Sequence, residues 1–424
     1  MFLDFTLIFF FLLVVVNYRV QRSVLYPPFI FCAMWLLDLT LVRLNLIELD
    51  PVHGNTLAIV AAGAMFFSAG GILAGLVPRA LLATHIDIFR PLERNTSDLL
   101  RNTLTIVLLC ALPVMFYQVL QLSKSQGGGL NVLMQARMEL IDEINDGESS
   151  LPVLIIGYIS LYANLTALLF ATGKRDRKYW TVTAVALFAC ILATGRTNIL
   201  LLLSGLSTIY LLRTKKESLL SAARFLSWPL AAFIAIFVTL IFTNKNTEGM
   251  TGGVAEIATF SIISYIVGPL AAFDGVVQNP SNFPMESSHI LEFPLHLASS
   301  LHLIESQPKM SSSFVFVPFE TNVYTIFRYY YLEFGTIGAL VFFAFIGLVH
   351  SLLYLKARQG GRLSTYLFGY SVFTIVMVIF EDQYYLMAVY LRAITFGAVY
   401  FVIASTQVRL SVFNKQIRTS KLRS

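Results

Sequence analysis

The sequence predicts an all-α, polytopic integral membrane protein of about eleven transmembrane helices. Three observations predict it. Of the 424 residues, 57% are hydrophobic and only 13% are charged, against about 25% charged in ordinary soluble proteins. The mean hydropathy is +0.73. Apolar runs recur along the chain, and the loops between them alternate between basic and cation-poor. The net charge of +6 is the excess expected of cytoplasmic loops, so it does not point to nucleic acid.

About twenty apolar residues cross a bilayer. Candidate spans are 2–18, 24–42, 56–77, 103–122, 151–172, 180–195, 198–212, 221–242, 335–355, 363–380 and 387–404. The first, within MFLDFTLIFFFLLVVVNYRVQR, has no basic leader and no small-residue cleavage site, so it reads as a retained span. Cys32, Cys110 and Cys190 all lie in apolar runs. Neither a disulfide framework nor a thiolate metal site is expected, and no cofactor is implied. The chain shows no internal repeat, no low-complexity tract and no soluble catalytic domain.

Orientation follows from Lys and Arg. One set of loops holds Arg19 and Arg22, then Arg79, Arg90, Arg94 and Arg101, then Lys174, Arg175, Arg177 and Lys178. It continues with Arg213, Lys215, Lys216 and Arg224, then Lys356, Arg358 and Arg362, and the tail from Arg409. The other set holds only Arg43, Lys124, Arg137, Arg196, Lys245, Lys309, Arg328 and Arg392. The basic set is therefore expected in the cytoplasm and the N-terminus outside. Residues 254–277 are apolar enough to span, but a crossing there would turn KARQGGR at 356–362 outward. They are expected instead to form a helix pair broken at Gly268-Pro269, lying on or dipping into the outer leaflet. The external face then carries a large loop, 243–334, and a smaller one, 123–150.

Chemistry is sought in those external segments. Glu48 and Asp50 form an acidic pair, but such spacing is common by chance and a solvated loop is the expected reading. His53 has no visible partner. In 123–150, a Gly127–Gly129 hinge leads into an amphipathic helix that carries Arg137 among Glu139, Asp142 and Glu143. Arg196 occupies a tight turn between two apolar spans, where a cation is costly unless it meets an anion. In the large loop, His289, His296 and His302 are not spaced as metal ligands on one helix face, though histidine suits a general base near neutral pH. Glu381 and Asp382 close the tenth span and are candidate partners for Arg392.

The densest stretch is 318–335, PFETNVYTIFRYYYLEFG. It joins Glu320, Asn322, Tyr324, Arg328, Tyr330 and Glu333. A helix over 322–334 would put Tyr324 and Arg328 on one face. Glu333 would lie near the start of the next membrane helix, where the dipole favours an anion.

TGRTNILLLL, TNVYTIFRYYYLEFGTIG and the arginine-bearing external loops together resemble the bacterial O-antigen polymerases, the Wzy-type oligosaccharide repeat-unit polymerases. The resemblance implies an all-helical, GT-C-like membrane glycosyltransferase of the bacterial inner membrane, with helical periplasmic loops around an outward cavity. It implies undecaprenyl-pyrophosphate-linked glycans as substrates, the bilayer as surroundings, a chain-length regulator protein as a partner, and no nucleic acid or metal. The family's loop arginines would fall on Arg137, Arg196 and Arg328, as ligands of the leaving pyrophosphate. The resemblance does not carry over a general base; Glu320, Glu333 and His296 are the catalytic candidates on the chemistry of the residues alone. Asn322, Tyr324 and Tyr330 are the candidate sugar contacts. An O-antigen ligase uses the same donor, and a flippase for lipid-linked glycans is the alternative from another class.

Overall fold

The computed structural model describes residues 1–78, 196–224, 254–283 and 314–384, with scattered positions at 99–121, 183–188, 227 and 288–304. The described chain is mostly helical, as a membrane protein of apolar helices should be. Among the described residues, five helices are long and apolar enough to cross a membrane: α1 (Phe2–Gln21), α2 (Pro27–Leu44), α3 (Gly54–Leu76), the Thr259–Gln278 part of α5 (Val254–Gln278), and α6 (Phe327–Arg358). Two further helices are shorter, α4 (Arg196–Thr214) and α7 (Arg362–Val376). A 3-10 turn, Met377–Ile379, prolongs α7. Of the expected spans, those at 151–172 and 387–404 and nearly all of 221–242 lie outside the described residues. One departure from an all-α chain is a two-residue hairpin, in which β1 (Val315–Phe316) pairs antiparallel with β2 (Glu320–Thr321).

Local sequence sets the helix ends. α1 stops where Arg22 turns left-handed, and Pro27 and Pro28 open α2, where the missing proline N–H costs nothing. α2 stops at Asn45, also left-handed. α1, α2 and α3 are stitched internally by Asn17, whose amide donates to Ser68 Oγ at 3.0 Å and to Cys32 Sγ at 3.4 Å. α3 then packs along the long arm of α6. A Cβ on Gly70 would land on the Ala344 carbonyl, and one on Gly347 would land on the Phe67 carbonyl, so the two backbones touch. Gly63 faces Phe343 and Gly71 faces Ser351, which makes the two helices parallel.

The ends of this bundle sort by charge. Val24 N–H donates to the Glu217 carbonyl at 3.0 Å. Arg358 lies 3.6 Å from the Glu217 carboxylate and donates to Gln21 at 3.3 Å. These contacts gather the basic loops around Arg22, Lys215 and Lys356 at one end. Opposite them, Arg43 pairs with Asp4 at 2.8 Å. There His53 pairs with Asp274 at 2.8 Å, a partner that its sequence neighbourhood does not disclose.

α5 corrects one expectation. It is a single helix with Pro269 inside, not a pair broken at Gly268-Pro269. Burial overrides proline here: Leu270, Ala272 and Phe273 are fully enclosed, and Phe319 sits on Gly268. The partners of α5 nevertheless lie at the cation-poor end. Ile263 and Val267 pack with Ile47, Tyr265 stacks on Phe380, and Asp274 holds His53 and Thr56. From Ile263 to Asp274 a helix advances about 16 Å, yet both positions meet that same end.

The second correction concerns 322–334. Residues 322–326 are irregular and the helix begins only at Phe327. Gly335 then breaks it, with φ 65° and ψ −175°, a conformation suited to glycine. The short arm 327–334 folds back on the long arm. Phe327 meets Phe343 at 4.3 Å and Tyr330 stacks on Phe342 at 3.8 Å. Phe327 thus lies as deep as Phe343, about 12 Å below the bend along the long arm. The arrangement is a re-entrant hairpin of helix.

Cysteines introduced at Lys216 and Gln359 should label with an impermeant maleimide from one side of sealed vesicles. Cysteines at Asn45 and Asp50 should label from the other. Common labelling of Gln359 and Asp50 would overturn the parallel arrangement of α3 and α6.

Candidate functional site

The re-entrant hairpin carries Arg328 at its deep end. Burial of aromatic neighbours fixes that position: Phe327 wedges between Trp35, Phe273 and Phe343 and pins the start of the short arm. Arg328 is only 7% exposed. Its guanidinium carbon lies 3.9 Å from the Tyr324 ring centre and 5.2 Å from that of Tyr329. Such cation–π contacts contribute about 2 kcal/mol when desolvated. They leave the hydrogen-bonding edge unused, and among the described residues Nε and Nη1 have no hydrogen-bond partner. The expected meeting of Tyr324 with Arg328 therefore occurs, through a loop and not along one helix face.

Tyr329 also stacks on His289, with ring centres 3.9 Å apart and planes 12° from parallel. His289 Nε2 lies 2.7 Å from Asp382 Oδ2, and both side chains are buried. Tyr330 donates its hydroxyl to the same oxygen at 2.8 Å, and Tyr384 N–H donates to Oδ1 at 2.9 Å. Which of the pair donates follows from the imidazole tautomer. Glu333, two residues before the bend, accepts from the Ser288 hydroxyl and from His289 N–H, the latter at 3.1 Å. It anchors the 288–289 turn to the hairpin.

The structure thus brings together Tyr324, Arg328, Tyr330 and Glu333 from the expected set. It adds His289, Asp382 and Tyr329. Glu320 stands apart, exposed on β2, and Asn322 lies half-buried in the loop beyond it. Tyr324 and Tyr330 do not present open faces: Tyr324 carries Arg328 and meets Phe283, and Tyr330 is covered by Phe342. Arg137, His296, Arg392 and the Arg196 side chain lie outside the described residues. The Arg196 backbone opens α4, whose Ile199 packs in one cluster with Met377 and Phe380. That turn also holds Val378, whose carbonyl accepts from Ile326 N–H at 3.1 Å. Glu48 and Asp50 are exposed in the α2–α3 loop. Comparison with protein-family models, with curated proteins and with solved structures gives no match.

The pairing of His289 with Asp382 spans 93 positions, and no local pattern announces it. Both residues stand out in the sequence only as ionisable groups flanked by apolar runs. Asp382→Ala should strand the His289 and Tyr330 donors and lower stability by about 1–3 kcal/mol, read as a fall in melting temperature of the purified protein. Asp382→Asn, which keeps an acceptor, should lose less.

Proposed function

We propose that the chain is a membrane glycosyltransferase that polymerises undecaprenyl-pyrophosphate-linked oligosaccharide repeat units at the periplasmic face of the bacterial inner membrane. The observation that carries this reading is the Arg328 guanidinium, buried and clasped by tyrosine rings, with hydrogen-bonding nitrogens unpartnered among the described residues. An enclosed guanidinium without a partner is suited to an anion. Arg328 lies inside the bundle, in the half nearer the cation-poor end that the positive-inside rule assigns to the periplasm, the side from which a lipid-bound pyrophosphate would reach it.

In this reaction the acceptor hydroxyl attacks the anomeric carbon and the bond to the pyrophosphate breaks. Negative charge grows on the leaving phosphate oxygen, where Arg328 stabilises it. A base takes the hydroxyl proton, and among the described residues His289, oriented by Asp382, has that chemistry. Attack opposite the leaving group inverts the anomeric centre. Arg137 and Arg196 are proposed to complete the pyrophosphate site, and a chain-length regulator is the expected protein partner.

A transporter of the same lipid-linked glycan is the second reading. It is favoured by Asp38 and His350, polar side chains buried within apolar helices. The glycan ladder of a deletion strain separates the two. Retention of one repeat unit with loss of all longer chains supports polymerisation, whereas loss of every repeat supports ligation or transport.

Arg328→Ala should cut polymerisation by purified protein about 10²–10³-fold, the loss seen when one oxyanion-stabilising donor is removed. Arg328→Lys should recover part of it, because it keeps the charge and loses the planar fork. Since guanidinium supplies the positive charge in this scheme, polymerisation should continue in EDTA; dependence on restored magnesium or manganese would return Glu48 and Asp50 to consideration.

A further inference from the structure

Asp38 lies on α2 with no exposed surface, and neither carboxylate oxygen has a hydrogen-bond partner among the described residues. A carboxylate enclosed without donors is costly. Trp35, one turn earlier, is also fully buried with its indole N–H unpartnered. Its ring meets Phe327 edge-on at 5.5 Å, and Phe327 is bonded to Arg328. Thr325 precedes the same short arm, buried with its hydroxyl unpartnered, and Gln383, beside Asp382, has a buried unpartnered carbonyl oxygen. Native interiors pair at least about 90% of their buried polar groups. Trp35 and Thr325 flank Phe327 at the deep end of the hairpin, Asp38 stands one turn from Trp35, and Gln383 follows Asp382, which Tyr330 of the short arm holds.

These groups are complementary in kind. Asp38 and Gln383 offer acceptors, Trp35 and Arg328 offer donors, and Thr325 offers either. They do not satisfy one another: no ion pair joins Asp38 to Arg328 among the described residues. A ligand that matches all five carries an anionic group for the guanidinium and several hydroxyls for the rest. We propose that Asp38, with Trp35 and Thr325, binds the hydroxyls of the sugar joined to the phosphate that Arg328 holds, so that this sugar enters the helix bundle. The proposal rests on the pyrophosphate-linked substrate of the preceding section and adds a residue that chooses glycan over bare lipid.

Two probes separate the proposal from the reading beneath it: undecaprenyl pyrophosphate, and the same lipid carrying one N-acetylglucosamine. Each is titrated into purified full-length protein in nanodiscs. Wild type should bind the sugar-bearing lipid about tenfold more tightly, the upper end of what one net hydrogen bond contributes. Asp38→Leu should abolish that preference, leave affinity for the bare lipid unchanged, and leave the melting temperature of the empty protein equal or higher, because a buried group without donors is removed. Asp38→Asn, which keeps one acceptor, should retain part of the preference. Arg328→Ala should lose both lipids.

Equal wild-type affinity for the two lipids overturns the proposal and leaves the Arg328 site standing. So does an Asp38→Leu variant that keeps the preference, which would mean that only water meets Asp38. A lowered melting temperature with the preference intact makes Asp38 a structural residue and also overturns it. Failure of wild type to bind either lipid instead removes the pyrophosphate reading itself.

Discussion

The hydrogen bond from Ile326 N–H to the Val378 carbonyl joins two segments that depart from regular α-helix inside a bundle of apolar helices. Backbone polar groups at such depth must be satisfied within the protein, because lipid offers them nothing. Residues 322–326 have no helix of their own to supply partners, and the 377–379 turn leaves carbonyls that an α-helix would have used. Each segment answers the other. The hairpin that follows depends on this junction, since the short arm begins immediately after Ile326 and must start at a fixed depth to turn back at Gly335.

Aromatic packing then holds what the hydrogen bond locates. Phe327, Tyr330, Phe342 and Phe343 form the inner faces of the two arms, and Trp35 and Phe273 close the flanks. In lipid such rings gain from close mutual packing, about 0.5–1.5 kcal/mol for an aromatic pair. These contacts hold the enclosed arginine in place, a state that an isolated helix could not sustain. The close glycine contact of α3 with α6 serves the same end, because it brings Gly63 against Phe327 and seals the hairpin from below.

The sequence makes the spans of α1, α2, α3 and the long arm of α6 legible through twenty-residue apolar runs, and the gathering of basic loops at one end through charge alternation. It makes Arg328 stand out as an isolated cation among tyrosines. It does not make the hairpin legible, because apolar content is the same whether 327–334 continues a span or folds back upon it. Gly335 is the signal for the bend, yet a lone glycine in an apolar run is ordinary in membrane helices. α5 misleads in the opposite direction: Gly268-Pro269 reads as a break, but the helix continues because burial of the following turn offsets the hydrogen bond that Pro269 removes. His53–Asp274 and His289–Asp382 join positions 221 and 93 apart, and long-range pairing leaves no periodic trace.

The cluster around Arg328 is also arranged so that the protein does not neutralise it. Two carboxylates, Glu333 and Asp382, belong to the same cluster, and either would pair with a guanidinium in reach. Both are filled by other donors. Glu333 takes the Ser288 hydroxyl and the His289 amide; Asp382 takes His289, the Tyr330 hydroxyl and the Tyr384 amide. A carboxylate with two or three donors already in place has little to gain from a further partner, and neither of these pairs with Arg328 among the described residues. Tyr329 reinforces the separation by touching the cation and the imidazole with one ring. The cation and the imidazole thereby lie on one aromatic ring without either carboxylate joining them.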